Sequence, residues 1–505
     1  MGDADGRDAL PEAYATARVL RSRPVRAALA LAALRRTGGA AARQALQADP
    51  LAGDLPAPPA DRWARYPNVV VAHVGAEPLT AGAAVHERLR PGAWRLQLRR
   101  LRPDLLLLDG PDGPARQHRE LVAEARALGS AVVTVGDCAS AGVTGDLHVG
   151  FGLVEDHTPE VLILPPGVDV RRCSPVGREP GWRAAEAEPG EPRARHHRRL
   201  LELAATGTVP LLAPGSPEAM LFGPHADLVT RSAAPTSATP PFDDDEALER
   251  ASVKLRRHVH RHHGTEARLG AILAGLGRPA EPPPGITVLL ASNRPDLVGT
   301  ALQQVAAQTH PDLTVHLLLH GFHAADATGL RAAGVVPVEV SSLPAAWPLG
   351  AVLDAGSARL ATPLVAKMDD DDLYGPEHLG DLVLALRYSG ADAVGRWSHA
   401  VYLAARDVTV VTRPDEQERW VHHLPGATML LPTEVLRRHR WRHVPSAVDT
   451  ELVRAIHASG GRTYSSHRFG FVRQRHGTHT FARRDADFAR EGRITPGLDR
   501  AVLTV

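Results

Sequence analysis

With 505 residues and a formal net charge of +1, the chain has room for about two or three domains with cores of their own, and no global electrostatic pull toward nucleic acid or acidic membranes. Two cysteines, Cys138 and Cys173, are too few for a disulfide framework or a structural zinc site, which fits a reducing cytoplasm. No apolar run reaches the length of a membrane span and the first residues are acidic, so neither a transmembrane segment nor a signal peptide is expected. The expected location is the cytoplasm, or the inner face of the membrane as a peripheral protein.

In chain order, residues 1–62 read as a helical lead-in with a Pro-rich end and no chemistry. Apolar runs at 68–74, 105–108 and 131–135 alternate with helix-like stretches at 84–100 and 117–128, a spacing that predicts a parallel, Rossmann-like sheet. A fourth run, 161–164, leads into Pro-Pro-Gly-Val-Asp at 165–169. Residues 177–197 are rich in Pro, Gly, Arg and Glu and read as a loop or linker. Beyond them come a helix at 200–205, a short strand at 209–212 and a long basic helical region at 246–275. There His258 and His262 have the i, i+4 spacing of metal ligands, although a solvated basic face accounts for them as well.

Three pieces of this half resemble glycosyltransferases of the two-Rossmann (GT-B) architecture, most closely the spore-maturation-protein type. They are Leu-Pro-Pro-Gly-Val-Asp-Val-Arg-Arg-Cys-Ser-Pro at 164–175, Leu-Leu-Glu-Leu-Ala-Ala-Thr-Gly-Thr-Val-Pro-Leu-Leu at 200–212, and a tail containing His263, Gly264, Thr265 and Arg268. The family places most of a nucleotide-binding subdomain between the first two pieces. Here only about two dozen residues separate them, too few for several βα units. Residues 63–276 are therefore expected to be a truncated GT-B-like domain without transferase activity of its own.

Gly-Arg-Pro-Ala-Glu-Pro-Pro-Pro-Gly at 277–285 reads as an extended linker, and a fresh α/β domain follows over 286–505. Strands are expected at 286–291, 314–319, 335–340 and 392–395, with helices at 297–308, 350–360 and 377–388. The most informative stretch is Leu-Val-Ala-Lys-Met-Asp-Asp-Asp-Asp-Leu-Tyr at 364–374, where a buried-type strand ends in four adjacent carboxylates. A solvated acidic turn is the bland explanation. The strand instead carries the acids to the edge of a sheet, the usual address of sites in open α/β folds, and hard oxygen ligands there suit Mn²⁺ or Mg²⁺.

Residues 286 to about 480 resemble family 2 nucleotide-sugar glycosyltransferases of the single-Rossmann (GT-A) type. The matching pieces, in order, are Val-Leu-Leu-Ala-Ser-Asn-Arg-Pro at 288–295, Gln-Thr-His-Pro at 308–311, the Asp-x-Asp element within 369–372, Gly-Ala-Thr at 426–428 and Val-Asp-Thr-Glu-Leu at 448–452. The fold expected for the chain is thus α/β with two Rossmann-like modules. The resemblance implies metal ligation by Asp369 and Asp371, with Asp372, and His479 as a further ligand from the Arg- and His-rich run at 471–480. It implies a donor-binding set of Ser292, Arg294, His320, Lys367 and Asp370. Lys367 could hold a carboxylate or a phosphate; His320 stands where the family usually has an acid that reads the nucleotide. Asp449 is the implied catalytic base, with Glu451 second. As an Asp before a periodic segment, Asp449 could also cap a helix at 450–458, and the two roles are compatible.

The expected activity is metal-dependent transfer of a sugar from a nucleotide-sugar donor to a glycan, lipid-linked or other hydroxyl acceptor, with inversion, in cell-surface polysaccharide or glycoconjugate synthesis. No nucleic acid partner is expected. A phosphohydrolase built on Asp-x-Asp is disfavoured, because Leu373 stands where Thr or Val is needed and the acids come several strands into the domain. A catalytically silent nucleotide-sugar or carbohydrate-binding protein is the alternative.

Overall fold

The computed structural model describes residues 65–505 apart from 75–82, 91–92, 110–114, 137–143, 154–155, 158–160, 179, 186, 189–190, 231–241, 331–333, 335, 476–487 and 489–491. The lead-in expected at 1–62 lies outside the described residues. The chain divides into two compact units, the first drawing on 69–76 and 85–145 and the second on 146–505 with short flanking pieces. No helix among the described residues is long and apolar enough to cross a membrane.

The first unit contains β1 (Tyr66–Val74, from residue 69 onward), β2 (Ala84–Arg88), α1 (Trp94–Leu101), β3 (Leu105–Asp109), α2 (Ala115–Ala127) and β4 (Ala131–Val135). β1, β3 and β4 pair in parallel, and Leu98 and Leu121 of the helices pack on Ala72, Leu106 and Val132 of the strands. The helix expected over 84–100 is a strand followed by a shorter helix. The Leu89 N–H donates to the His73 carbonyl at 2.8 Å, so the segment ahead of α1 runs along β1.

In the second unit β5 (Leu147–Phe151) pairs in parallel with β7 (Val161–Leu164), and β6 (Asp156–His157) pairs antiparallel with β7. The stretch expected to be a loop at 177–197 includes β8 (Gly181–Ala184) and the start of α3 (Arg193–Ala205). β8 pairs in parallel with β9 (Thr208–Leu211), and Trp182 packs beneath it. The long basic helix is two: α4 (Asp245–His262), capped by the Asp244 carboxylate accepting from Ala247 N–H at 2.7 Å, and α5 (Thr265–Gly275). The break falls where Val168 inserts, donating to His263 O at 2.8 Å and accepting from Thr265 N–H at 3.0 Å. A Cβ on Gly264 would meet the His260 carbonyl at 2.8 Å, so this corner needs glycine.

After a segment without helix or strand at 278–285 come β10 (Ile286–Ser292), α6 (Val298–Ala306), β11 (Leu313–His320), β12 (Val338–Leu343), α7 (Leu349–Ser357), β13 (Leu364–Asp369), β14 (Leu373–Tyr374), α8 (His378–Ser389) and β15 (Ala393–Gly395). They are followed by β16 (His399–Leu403), β17 (Val408–Thr412), β18 (Arg419–Val421), β19 (Leu430–Pro432), α9 (Thr433–His439), α10 (Val448–Ala458), β20 (Thr463–Ser465), β21 (Phe471–Arg475) and β22 (Ile494–Pro496). One sheet has the order β12-β11-β10-β13-β19-β15-β20-β18, parallel from β12 through β13 and antiparallel at β19; a second runs β14-β21-β16-β17-β22. β10, β11 and β13 are buried along nearly their whole length, as expected of parallel strands covered on both faces. α6 and α8 pack on one face through Leu302 and Leu382, and α7, α9 and α10 on the other through Leu353, Leu436 and Leu452. The sheet is a Rossmann-like α/β layer whose parallel strands all end at one edge.

Helix α4 is joined to this layer by buried ion pairs. Arg256 reaches Glu418 at 2.5 Å and Arg257 reaches Asp381 at 2.7 Å, all four side chains being largely buried, and Arg261 reaches Glu377 at 2.5 Å. Glu418 also accepts from the hydroxyls of Tyr388 and Tyr464, each at 2.8 Å. Removing one member of a buried pair strands a charge where water cannot solvate it. Arg256→Met should therefore destabilise the chain by about 3–5 kcal/mol, read as a lower urea midpoint. Adding Glu418→Gln should recover part of that loss, since it removes the stranded charge.

Candidate active site

The register of the parallel strands assembles the site. Ala291 of β10 lies opposite Asp369 of β13, and Ser292 opposite Leu319 of β11, so Ser292, His320 and the acid run end at the same sheet edge. The backbone then turns sharply into β14. The Asp369 N–H donates to Tyr374 Oη at 2.8 Å, and that hydroxyl donates to the Ala427 carbonyl at 3.0 Å, pinning both ends of the turn. The turn splits the four acids by exposure. The Asp369 side chain is 37 % exposed and that of Asp371 is half-buried at 13 %, whereas Asp370 retains only 4 % and Asp372 is buried.

Each acid has a different partner. Asp370 accepts from Ser292 Oγ at 2.5 Å and from Arg294 Nε at 3.2 Å, and Arg294 extends a second arm to Asp371 Oδ2 at 2.9 Å. Asp369 pairs with the buried Lys367 ammonium. Asp372 accepts from Gln474 N–H at 2.9 Å and lies within the field of Arg473. Burial first, then the charges of Asp369 and Asp371, push the Asp372 carboxyl up to about 8 in spite of Arg473. Burial works against the Lys367 ammonium, but Asp369, by charge and hydrogen bond, with Asp449 and Asp372, more than offsets it and raises its pKa.

Asp449 enters from the other side of the acid run. It does not cap its helix: Val448 is the first helical residue of α10, and the cap position is Ala447, in a left-handed conformation at φ 57° with no side-chain cap bond. From the first turn Asp449 Oδ2 instead accepts from Gly426 N–H at 2.8 Å, and Oδ1 from Thr450 N–H at 3.0 Å. Gly426 is the hinge between the two halves of the site. A Cβ built there would stand 3.2 Å from Asp449 Cβ and 3.3 Å from Lys367 Nζ. Glu451 is turned away, held by Arg442 at 2.8 Å and Arg454 at 2.7 Å, bonds that also lower its pKa.

His320 closes β11, and its Nε2 is buried with no hydrogen-bond partner among the described residues. His479 lies outside the described residues. The structure thus brings together Ser292, Arg294, Lys367, Asp369, Asp370, Asp371, Asp372 and Asp449. Sequence reasoning missed Gln304, whose side chain donates to Asp372 O at 2.8 Å and accepts from Tyr374 N–H at 2.8 Å, and the pinning role of Tyr374. A polar residue on a helix face carries no signal of its own. Tyr374, two residues beyond the acids, could have been noticed.

Among the described residues no three His, Cys, Asp or Glu side chains are arranged as a ready metal-holding group. The donor chemistry nevertheless fits a hard divalent cation: Asp369, Asp371 and Asp372 offer only oxygen, and they lie close enough for their charges to act on one another. Such a cation would relieve the repulsion that burial leaves between them.

No protein-family profile matches the chain, and no curated protein sequence matches it. Solved structures with a similar arrangement include residues 1–349 of S. aureus TarS in complex with UDP-GlcNAc, at 14% identity and a TM-score of 0.33, covering 40% of this chain and 63% of that one. The same portion of TarS in complex with UDP gives 15% identity and a TM-score of 0.31 over 38% of this chain and 60% of that one. The chain thus spans less than two thirds of the length of these structures. Likeness at this level says nothing of what the chain binds.

The raised carboxyl of Asp372 has a signed consequence. Its ordinary pKa is 3.8, so the unfolded chain releases this proton near pH 4 while the folded chain keeps it to about 8. The folded state binds more protons in that window, and the contribution of Asp372 to stability falls as pH rises through it. With chelator present, Asp372→Asn should gain stability relative to the parent between pH 5 and pH 8, measured by denaturant titration at each pH.

Proposed function

We propose that residues 286–505 form a GT-A-type glycosyltransferase of the family 2 kind, moving a sugar from a nucleoside-diphosphate donor to a hydroxyl acceptor with inversion. Residues 63–276 are, on this reading, a truncated GT-B-like domain that takes no part in the chemistry. The observation that carries the proposal is the meeting, through Lys367 and Gly426, of a carboxylate run at a parallel-strand edge with a lone carboxylate from a separate helix. Sugar transfer needs those two functions side by side. One region receives charge from the leaving diphosphate, and the other accepts the proton of the attacking hydroxyl.

A bound Mn²⁺ or Mg²⁺ would supply positive charge for the diphosphate, and Asp369 and Asp371, with Asp372, are the residues that would hold it. Arg294, which now reaches Asp371, is the cation that would turn toward phosphate oxygens. His320 Nε2 offers a hydrogen bond to the nucleotide at the end of β11. Asp449 takes the proton of an acceptor hydroxyl as its oxygen bonds the anomeric carbon and the bond to the diphosphate breaks. Glu451 is fully engaged by two arginines and is set aside as the base. The acceptor is a glycan, a lipid-linked chain or another hydroxyl compound of surface polysaccharide synthesis, and the place of action is the cytoplasm or the inner membrane face.

Asp371→Asn and chelation should each weaken nucleotide-sugar binding in calorimetry; equal affinity with chelator and with Mn²⁺ would show that no metal is used. For the base, general-base assistance is worth about 10² to 10⁴ in rate. Asp449→Asn keeps an oxygen for Gly426 N–H, so the melting temperature should stay near that of the parent while transfer falls at least about a hundredfold. Retention of transfer by that variant would make Asp449 a structural clasp of the 426–428 turn. Donor binding by the parent with neither hydrolysis nor transfer would leave a binding protein.

A further inference from the structure

Of the 58 Lys and Arg residues, only Lys254 and Lys367 are lysines, and Lys367 occupies the least forgiving place available. Its main chain is fixed in β13, with its N–H donating to Met429 O at 2.9 Å. Its ammonium is buried against Asp369 on one side. On the other side its stem passes Gly426 so closely that a Cβ there would stand 3.4 Å from Lys367 Cδ and 3.3 Å from Nζ. The Gly426 N–H in turn holds Asp449 Oδ2 at 2.8 Å. One short, fixed chain of contacts therefore runs from the partly exposed Asp369 to the acid on α10.

We infer that Lys367 is a positioning residue that sets the spacing between the donor-side carboxylate Asp369 and the acceptor-side carboxylate Asp449. The inference rests on the glycosyl-transfer reading. In a single displacement the attacking oxygen, the anomeric carbon and the departing oxygen must be aligned at near-contact distance, and about 1 Å of misplacement can cost about a hundredfold in rate. Asp369 and Asp449 belong to different elements; Tyr374 ties the backbone of Asp369 to that of Ala427, but that link leaves the separation of the two carboxylate groups open. An ammonium between them draws both inward; without it their like charges repel. Lysine suits this place better than arginine. A compact ammonium fits beside Gly426, whereas a planar guanidinium needs width that the close approach of Gly426 and Asp449 denies.

The test separates positioning from simple phosphate binding. Lys367→Met keeps the stem and removes the charge. Its partner Asp369 is 37 % exposed, so water can solvate the carboxylate left behind and the fold should persist. Transfer kcat should fall by about a hundredfold with donor KM little changed. Lys367→Arg, which restores the charge but not the shape, should stay well below the parent. Gly426→Ala, which pushes Lys367 away from Asp449, should lower kcat in the same direction. A Lys367→Met enzyme with parental kcat overturns the inference, and so does one with raised donor KM and unchanged kcat, the mark of a residue that merely binds diphosphate. If Lys367→Met does not fold, parental kcat in both Lys367→Arg and Gly426→Ala overturns it instead. A parent chain that transfers no sugar removes the glycosyl-transfer reading and this inference together; an active parent matched by its variants removes this inference alone.

Discussion

Four adjacent carboxylates at the end of a buried strand cannot stand without cations supplied from elsewhere, and much of the C-terminal architecture can be understood as meeting that demand. The cations come from three places: Arg294 just beyond β10, Lys367 within β13 itself, and Arg473 in β21. Two of those strands are direct neighbours in the parallel layer, and the third belongs to the five-stranded sheet, which reaches the acids because β14 pairs with β21. The second sheet therefore does more than extend the fold. It delivers Arg473 and the Gln474 amide to the most deeply buried acid.

The same constraint explains the division of labour among the acids. Asp370 and Asp372 face inward, where hydrogen bonds from Ser292, Arg294 and Gln474 hold the turn in shape. Asp369 and Asp371 are left with more solvent. Inward acids shape the turn, and outward acids keep contact with water.

The central parallel strands were legible because burial on both faces makes them continuous apolar runs: 131–135 is a strand with those very limits, and β10 is extended past the expected 286–291 by Ser292 alone. Errors arose where a distant segment competes with local preference. β1 recruits 84–88 away from a helix, β9 recruits Gly181–Ala184 out of a presumed loop, and Val168 divides the long basic helix at Gly264. The acid run and Asp449 could be singled out in the sequence, but the clasp of Asp449 on Gly426 could not, since Asp is equally suited to capping and only the left-handed Ala447 shows where the helix starts. Ion pairs such as Arg256 with Glu418, separated by 162 positions, have no local trace in a sequence at all.

That last pair bears on how the chain can change over time. Glu418 opens the segment leading through β18 to the Gly426 turn, and it sits at φ 53°, a backbone state unusual for glutamate. Its carboxylate is gripped by an arginine of α4 together with two tyrosines of the C-terminal layer. Helix α4 is thus tied, through Glu418, to the segment that leads to the turn holding Asp449. Shortening the chain ahead of the C-terminal layer is therefore not neutral: a deletion that removes α4 leaves Glu418 and Asp381 buried without their arginines.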